Sequence, residues 1–275
     1  MSSPDRGMKV VLFCGGQGMR LREFSDRIPK PMVPIGPRPI IWHLMKYYAH
    51  YGHKDFILCL GYKGDVIKEY FLNYKEWLSN DFVIREGGRD LEMMRTDIDD
   101  WQITFVDTGL NANIGERLVA VRDHVGDDEV FLANYSDGLT DLHLPDLIER
   151  FHHTGATATF MCTTPSQTFH VVSLDSDDRV LSLREASEVG IWVNAGYFVL
   201  SRDVFDYIET GEELVLEPFE RLAAEGRLTA LRHDGFWTGM DTFKDLRKLD
   251  DLYAAGAAPW MNWTGTGADR AARQT

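Results

Sequence analysis

The ordered pattern of this chain begins with Met8-Lys9-Val10-Val11-Leu12-Phe13, a nearly unbroken apolar run that stops at a glycine-rich loop, Gly15 to Gly18. Apolar residues at consecutive strand positions bury both faces of the strand, so the run demands a covering layer on either side. The next segments supply such layers. A helix is predicted over about 39–51, with Pro39 in its first turn and Gly52 just past its end. A strand over 55–60 and a helix over about 64–72 follow. Alternation of strand and helix at this spacing predicts right-handed βαβ units. The expected fold class is α/β: a Rossmann-like mixed, mainly parallel sheet flanked by helices.

The pattern resumes after a polar stretch, 80–100. A strand is predicted over 102–106, a helix over 116–123, and a strand over 129–134 that runs into Tyr135-Ser136-Asp137-Gly138. A helix over 144–153 is entered through Pro145. Strand-like runs then dominate (156–163, 170–175, 179–184 and 191–200), read as a mixed-sheet extension that covers or completes a pocket. Helices are expected at 203–209, 217–225 and about 241–254, and the Gly/Thr/Ala-rich tail after Trp263 is expected to be disordered. There is no internal repeat.

At 275 residues the chain is one large domain or two small ones. Its three cysteines, Cys14, Cys59 and Cys162, stand far apart in apolar runs. They predict buried, reduced thiols of a cytoplasmic protein and no zinc cluster. No apolar run reaches the roughly 20 residues of a membrane span, and the polar start MSSPDRGMKV predicts no signal peptide. The net charge of −14 argues against a general nucleic-acid binder. Yet residues 1–50 hold eight Lys/Arg against three Asp/Glu, a basic field in an acidic chain. Such a field points to a small anionic ligand held near the N-terminus.

The loop after the first strand suits that ligand. Gly15, Gly16 and Gly18 let backbone N–H groups approach an anion closely. The loop is neither the GxGxxG of a dinucleotide fold nor a Walker A motif, and by itself it is equally a tight turn. Arg20 follows two residues later. Lys30 stands between Pro29 and Pro31, in what reads as a stiff extended arm that fixes its aim. Two carboxylates are candidate ligands for Mg²⁺, which takes oxygen donors. Asp137 ends a predicted strand, the end at which open α/β sheets bind ligands. Asp241 precedes the last helix, where an aspartate can equally be an N-cap. Asp141 reads as a helix N-terminal residue.

The segments GGQGMRLRE (15–23) and IPKPMVPIGPRPIIWHLM (28–45) resemble the GGxGTRL…PKPM signature of sugar-phosphate nucleotidyltransferases. DFILCLGYKGDVIKEYF, NYKEWLSNDFVI, WQITFVDTG, FWTGMDT and AAPW place the resemblance nearest the glucose-1-phosphate cytidylyltransferase branch, over about residues 8–263. The resemblance implies a single domain of the nucleotide-diphospho-sugar transferase type, flanked by flexible tails at 1–7 and 264–275. Its nucleotide part would span about 8–140, its acceptor part about 141–245 and its C-terminal helical segment about 241–263. It also implies a homo-oligomer, a nucleoside triphosphate (CTP first) and a phosphorylated small-molecule acceptor, with no nucleic acid or membrane partner. Arg20 and Lys30 would be catalytic. Gly15, Gly16, Gly18 and Gly115 would line the nucleotide, and Asp137 and Asp241 would hold Mg²⁺. Glu185, Asn194 and Gly196 would face the acceptor.

The sequence departs from that pattern at several positions. Met19 replaces a threonine, and Ser136 replaces the glycine before the first metal aspartate, adding a side chain beside the metal. Ile114 and Glu116 replace a threonine and a glycine near the base, while Gly115 and Arg117 match. His170 stands where a small residue is usual. Ala186 replaces the lysine that grips the acceptor phosphate, and Arg184, two residues away on the same strand face, is the expected substitute. These breaks leave open a different acceptor, such as a modified sugar phosphate, a cyclitol phosphate or a phosphonate. A non-catalytic nucleotide-binding subunit is a further alternative. The aromatic residues Trp42, Phe56, Tyr70, Phe71, Phe131 and Phe198 read as core. Trp237, Trp260 and Trp263 fit either C-terminal packing or an oligomer interface.

Overall fold

The computed structural model describes residues 7–16, 28–165, 170–185 and 189–264. Strand β1 (Lys9–Phe13) lies inside a seven-stranded sheet with β2 (Asp55–Leu60), β3 (Gln102–Asp107), β4 (Val130–Asn134), β5 (Ala158–Thr163), β6 (Val193–Ser201) and β7 (Leu228–His233). The order across the sheet is β7-β5-β6-β4-β1-β2-β3. Only β6 runs antiparallel to its neighbours; every other pairing is parallel. The expected mixed, mainly parallel sheet is therefore present.

The apolar run dictates this position. Val10 and Leu12 point into one core, and Val11 and Phe13 into the other. The first core is closed by α1 (Ile40–His50), α2 (Gly64–Leu72), α4 (Leu144–Thr154) and α6 (Phe243–Ala254); the second is closed by α3 (Ile114–Ala120) and α5 (Glu217–Ala224). Helix α1 starts after Pro39, whose φ of −69° suits the junction. It ends before Gly52, whose φ of +90° reverses the chain.

Connectivity fixes where a ligand can sit. From β1 the chain builds β2 and β3 on one side, then returns to lay β4 on the other side of β1. The carboxyl ends of β1 and β4 are thus adjacent at the point where strand order reverses, and a crevice opens there in sheets of this kind.

Several expectations need correction. The 156–200 region is not an extension: β5 and β6 belong to the main sheet, and only His170–Leu174 and Val180–Glu185 form a separate hairpin. The strand β7 falls in a stretch with no clean alternation and was not expected. The polar stretch hides a hairpin, Phe82–Arg85 with Asp90–Met93. Helix α3 starts at Ile114 because Asn113 and Glu116 form a reciprocal capping box; a separate short turn, Arg122–Val125, follows it. The expected helix at 203–209 is a 3-10 segment, Arg202–Tyr207. Tyr70 and Phe71 are half-buried rather than core.

The C-terminal tryptophans pack inward. Trp260 is fully buried and its Nε1 faces His43 Nδ1 at 3.4 Å. Trp263 meets Trp42 edge-on, and Trp237 donates from Nε1 to the Ala195 carbonyl. The three cysteines are buried and free. Among the described residues no helix is long and apolar enough to cross a membrane.

Candidate active site

The carboxyl end of β1 is shaped by a buried arginine. Arg117, on α3, is 3% exposed. Its guanidinium donates to the carbonyls of Gly15 (3.2 Å) and Leu60 (3.1 Å) and to Thr108 Oγ1 (2.7 Å). One side chain thereby ties together the exits of β1, β2 and β3. A Cβ on Gly15 would lie 2.0 Å from this guanidinium, so any side chain there would displace the arginine. A Cβ on Gly16 would meet nothing within 4 Å, and the residue is exposed. Among the described residues nothing packs against its Cβ position. Gly18 and Arg20 lie outside the described residues.

At the end of β4 the chain turns sharply. Ser136 adopts φ +67°, a left-handed conformation costly for a residue with a Cβ. Its N–H donates to Asn134 Oδ1 (2.9 Å), and its hydroxyl donates to the Phe13 carbonyl (2.7 Å). The Ser136 side chain is thus buried against the end of β1. The strained turn presents Asp137.

Asp241 reaches the same place along a two-stranded ribbon. Gly138–Thr140 pairs with Trp237–Gly239, and Met240 N–H donates to the Asp137 carbonyl (2.8 Å). The N-cap of α6 is Thr242, in a capping box with Asp245. Asp241 is therefore not the cap.

Lys30 closes the cluster. Its segment is not an extended arm: Lys30–Met32 forms a single 3-10 turn, with Pro31 at a first-turn position where no N–H is needed. Its Nζ lies 2.6 Å from Asp137 Oδ2 and 2.8 Å from Asp241 Oδ1. Burial alone would lower the pKa of this lysine, but the two carboxylates outweigh it and hold the ammonium above its usual value. Burial pushes the Asp137 carboxyl up, against the pull of Lys30. Residues 107 and 211 positions apart from Lys30 thus converge on one atom.

The donor set fits a small hard cation. Two carboxylates converge within hydrogen-bond reach of one point, and among the described residues no third His, Cys, Asp or Glu joins a metal-ligand cluster. Mg²⁺ is habitually held by one or two carboxylates together with phosphate oxygens and water.

Other expected site residues serve the framework. A Cβ on Gly115 would lie 2.2 Å from the Glu212 carbonyl oxygen. This glycine lets α3 pack closely on residues 212–214. Asn194 donates to Tyr135 Oη (3.2 Å) and accepts from Gly196 N–H (2.8 Å), so its amide orients local structure. Gly196 has φ +80°, and a Cβ there would lie 2.5 Å from the Tyr135 ring. Asp141 is not at a helix start: its Oδ1 takes His233 Nε2 (2.8 Å) and Phe236 N–H (2.8 Å), pinning the exit of β7.

Arg184 and Glu185 are both exposed and, as strand neighbours, point to opposite faces of the 170–185 hairpin. Arg184 pairs in register with Val171, and Glu185 with the exposed His170. They do not line one pocket wall together. Ala186 is outside the described residues. In the sequence Arg117 stood out only as a match to the family pattern near the base, not as the tie between strand ends. The available signal was an arginine at an inward position of α3, between Gly115 and Leu118.

A family model described as Nucleotidyl transferase matches residues 9–256. A probable glucose-1-phosphate cytidylyltransferase of Bacillus subtilis is 39% identical over 258 residues, covering 93% of this chain and 100% of the relative. The glucose-1-phosphate cytidylyltransferase of Salmonella typhi is 41% identical over 261 residues, with the same coverage. Among solved structures, a putative glucose-1-phosphate thymidylyltransferase from Bacillus anthracis superimposes with a TM-score of 0.65 at 18% identity, covering 90% of this chain and 95% of that one. A UDP-glucose pyrophosphorylase complexed with UDP-glucose gives 0.66 at 15%, covering 90% and 99%. At these identities the structural likeness speaks for the fold.

Proposed function

Because the chain belongs to the nucleotidyl transferase family, we propose that it joins CTP to a sugar 1-phosphate, glucose 1-phosphate first, releasing pyrophosphate and a CDP-sugar. The observation that carries this reading is the convergence of Lys30, Asp137 and Asp241 beside the Gly15–Gly16 loop, at the reversal of strand order. In the reaction an acceptor phosphate oxygen forms a bond to the α-phosphorus of the nucleotide. The bond from that phosphorus to the α,β-bridging oxygen breaks, and its electron pair leaves with pyrophosphate. Such transfer asks a protein for positioning and charge stabilisation.

The ammonium of Lys30, already poised among anions, would neutralise charge developing around the α-phosphate. The backbone of Gly15, Gly16 and Gly18 would cradle the nucleotide, and Arg20 would hold the leaving phosphates. Asp137 and Asp241 would hold Mg²⁺, which supplies Lewis-acid neutralisation of phosphate oxygens when bound. Residues 8–263 would act as one transfer unit. The buried free thiols support a reducing, cytoplasmic setting. Self-association is supported by exposed apolar side chains on two hairpins: Phe82, Ile84 and Leu91 on one, Val172, Leu181 and Leu183 on the other.

The test is pyrophosphate release with Mg²⁺, crossing CTP, UTP, dTTP, ATP and GTP with a panel of phosphorylated sugars and a phosphonate. Turnover with CTP and glucose 1-phosphate supports the reading. Activity with another acceptor alone moves the assignment to that acceptor. Nucleotide binding with no pyrophosphate release across the panel refutes a catalytic role.

A further inference from the structure

The resemblance implies a lysine on the acceptor phosphate at a position where this chain has Ala186, and an acceptor phosphate calls for a cationic partner. We propose that Arg232, at the end of β7, receives the acceptor's phosphate; the assignment rests on the transfer reading above.

Register places it. Arg232 of β7 pairs with Cys162 of β5, and Cys162 pairs with Asn194 of β6. The three residues form one row across the sheet, at the carboxyl end of its parallel strands. With neighbouring strands about 4.8 Å apart, the row sets Arg232 about 10 Å from Asn194 at the backbone, within reach of an extended guanidinium. Asn194 in turn contacts Tyr135, two residues before Asp137. The row therefore runs from Arg232 toward the Lys30 cluster.

The side chain is prepared for an anion. Its guanidinium lies 5.1 Å from the centre of the Trp192 ring, on the segment that leads into β6. No carboxylate among the described residues pairs with Arg232, and the residue is exposed. Stacking on an indole holds the planar group while leaving its N–H edge free to take a phosphate in bidentate fashion. The backbone is fixed from the other face of β7, where His233 is hydrogen-bonded to Asp141. Arg184, by contrast, sits on a two-stranded hairpin outside the main sheet, and a rigid sheet holds a phosphate-binding group more firmly than such a hairpin does.

The test compares Arg232→Met and Arg184→Met, each checked by circular dichroism for retained fold. Arg232→Met is expected to raise the KM for glucose 1-phosphate about 10- to 100-fold, the loss of charge-assisted hydrogen bonds, with the KM for CTP unchanged. Arg184→Met is expected to leave the acceptor KM within about twofold, the range of an exposed charge. Titration calorimetry of glucose 1-phosphate into wild type and Arg232→Met reads the same loss without turnover. An unchanged acceptor KM and affinity in Arg232→Met, or a loss confined to Arg184→Met, overturns the assignment while leaving the transfer reading intact. A wild-type enzyme that binds the acceptor through Arg232 yet releases no pyrophosphate would support the assignment and refute catalysis.

Discussion

His43 makes the stability of this fold depend on pH in a way that can be calculated. The residue is fully buried on α1. Its Nε2 lies 3.0 Å from the Ile35 carbonyl, which can only accept, so Nε2 carries the proton. Its Nδ1 faces the Trp260 indole N–H, which can only donate. A second proton on the ring would set donor against donor in an apolar core. Burial accordingly lowers its pKa from 6.5 to about 4. The unfolded chain takes up this proton as pH falls through about 6.5, and the native state resists until about 4. The unfolded state thus binds more protons in that window, and stability falls as the pH is lowered. The loss from His43 is about 2 kcal/mol at about pH 5 and approaches about 3 kcal/mol near pH 4. His53, 7% exposed and lowered to about 4 by burial, contributes in the same direction. The assay is urea unfolding of wild type and His43→Gln at about pH 7 and pH 5. The variant starts less stable, but its loss on acidification should be smaller than that of wild type by about 2 kcal/mol. Equal losses in the two proteins would refute the reasoning.

Further outcomes follow from the same structure. Lys30→Met and Asp241→Asn should each lower turnover by about 10²- to 10³-fold, the usual loss of a preorganised charge, in pyrophosphate-release assays. Asp137→Asn should do the same while leaving the melting temperature unchanged or raised, because burial already disfavours its carboxylate. Gly115→Ala should destabilise by about 1–3 kcal/mol in urea, since the new methyl meets a backbone carbonyl rather than a movable side chain. Arg38 is 1% exposed, bonded to Ser79 and the Lys75 carbonyl and 3.8 Å from Asp97. Arg38→Met should cost about 3–5 kcal/mol and, by hydrogen exchange, loosen residues 75–98 first.

The sheet was readable because its strands are local statements. The run Val10–Phe13 needs apolar layers on both faces wherever it sits, and Pro39 and Gly52 punctuate α1 without help from distant residues. Elements whose pattern depends on partners were not readable. The 82–93 hairpin carries its charges on one face, where Arg85 pairs with Asp90 and Glu92; read linearly, it is only a polar stretch. Strand β7 has no alternation of its own and exists because β5 offers it a parallel edge.

The site divides in the same way. Residue types made Lys30, Asp137 and Asp241 candidates, and the family resemblance singled them out. Sequence spacing could not say that three positions so far apart meet at one ammonium. Nor could it say that Gly115 and Gly196 are glycines for packing. Side-chain direction was equally hidden: Ser136 turns onto the end of β1, and Arg184 and Glu185 part company. The sequence alone determined the layers, the basic N-terminal field and the chemical inventory, since hydrophobic period and residue type are properties of the chain itself. Only the tertiary structure decided which carboxylates converge, which glycines are sterically forced and which arginine lies in a row with Asn194. Those facts depend on strand order and register, which arise only when distant segments pair.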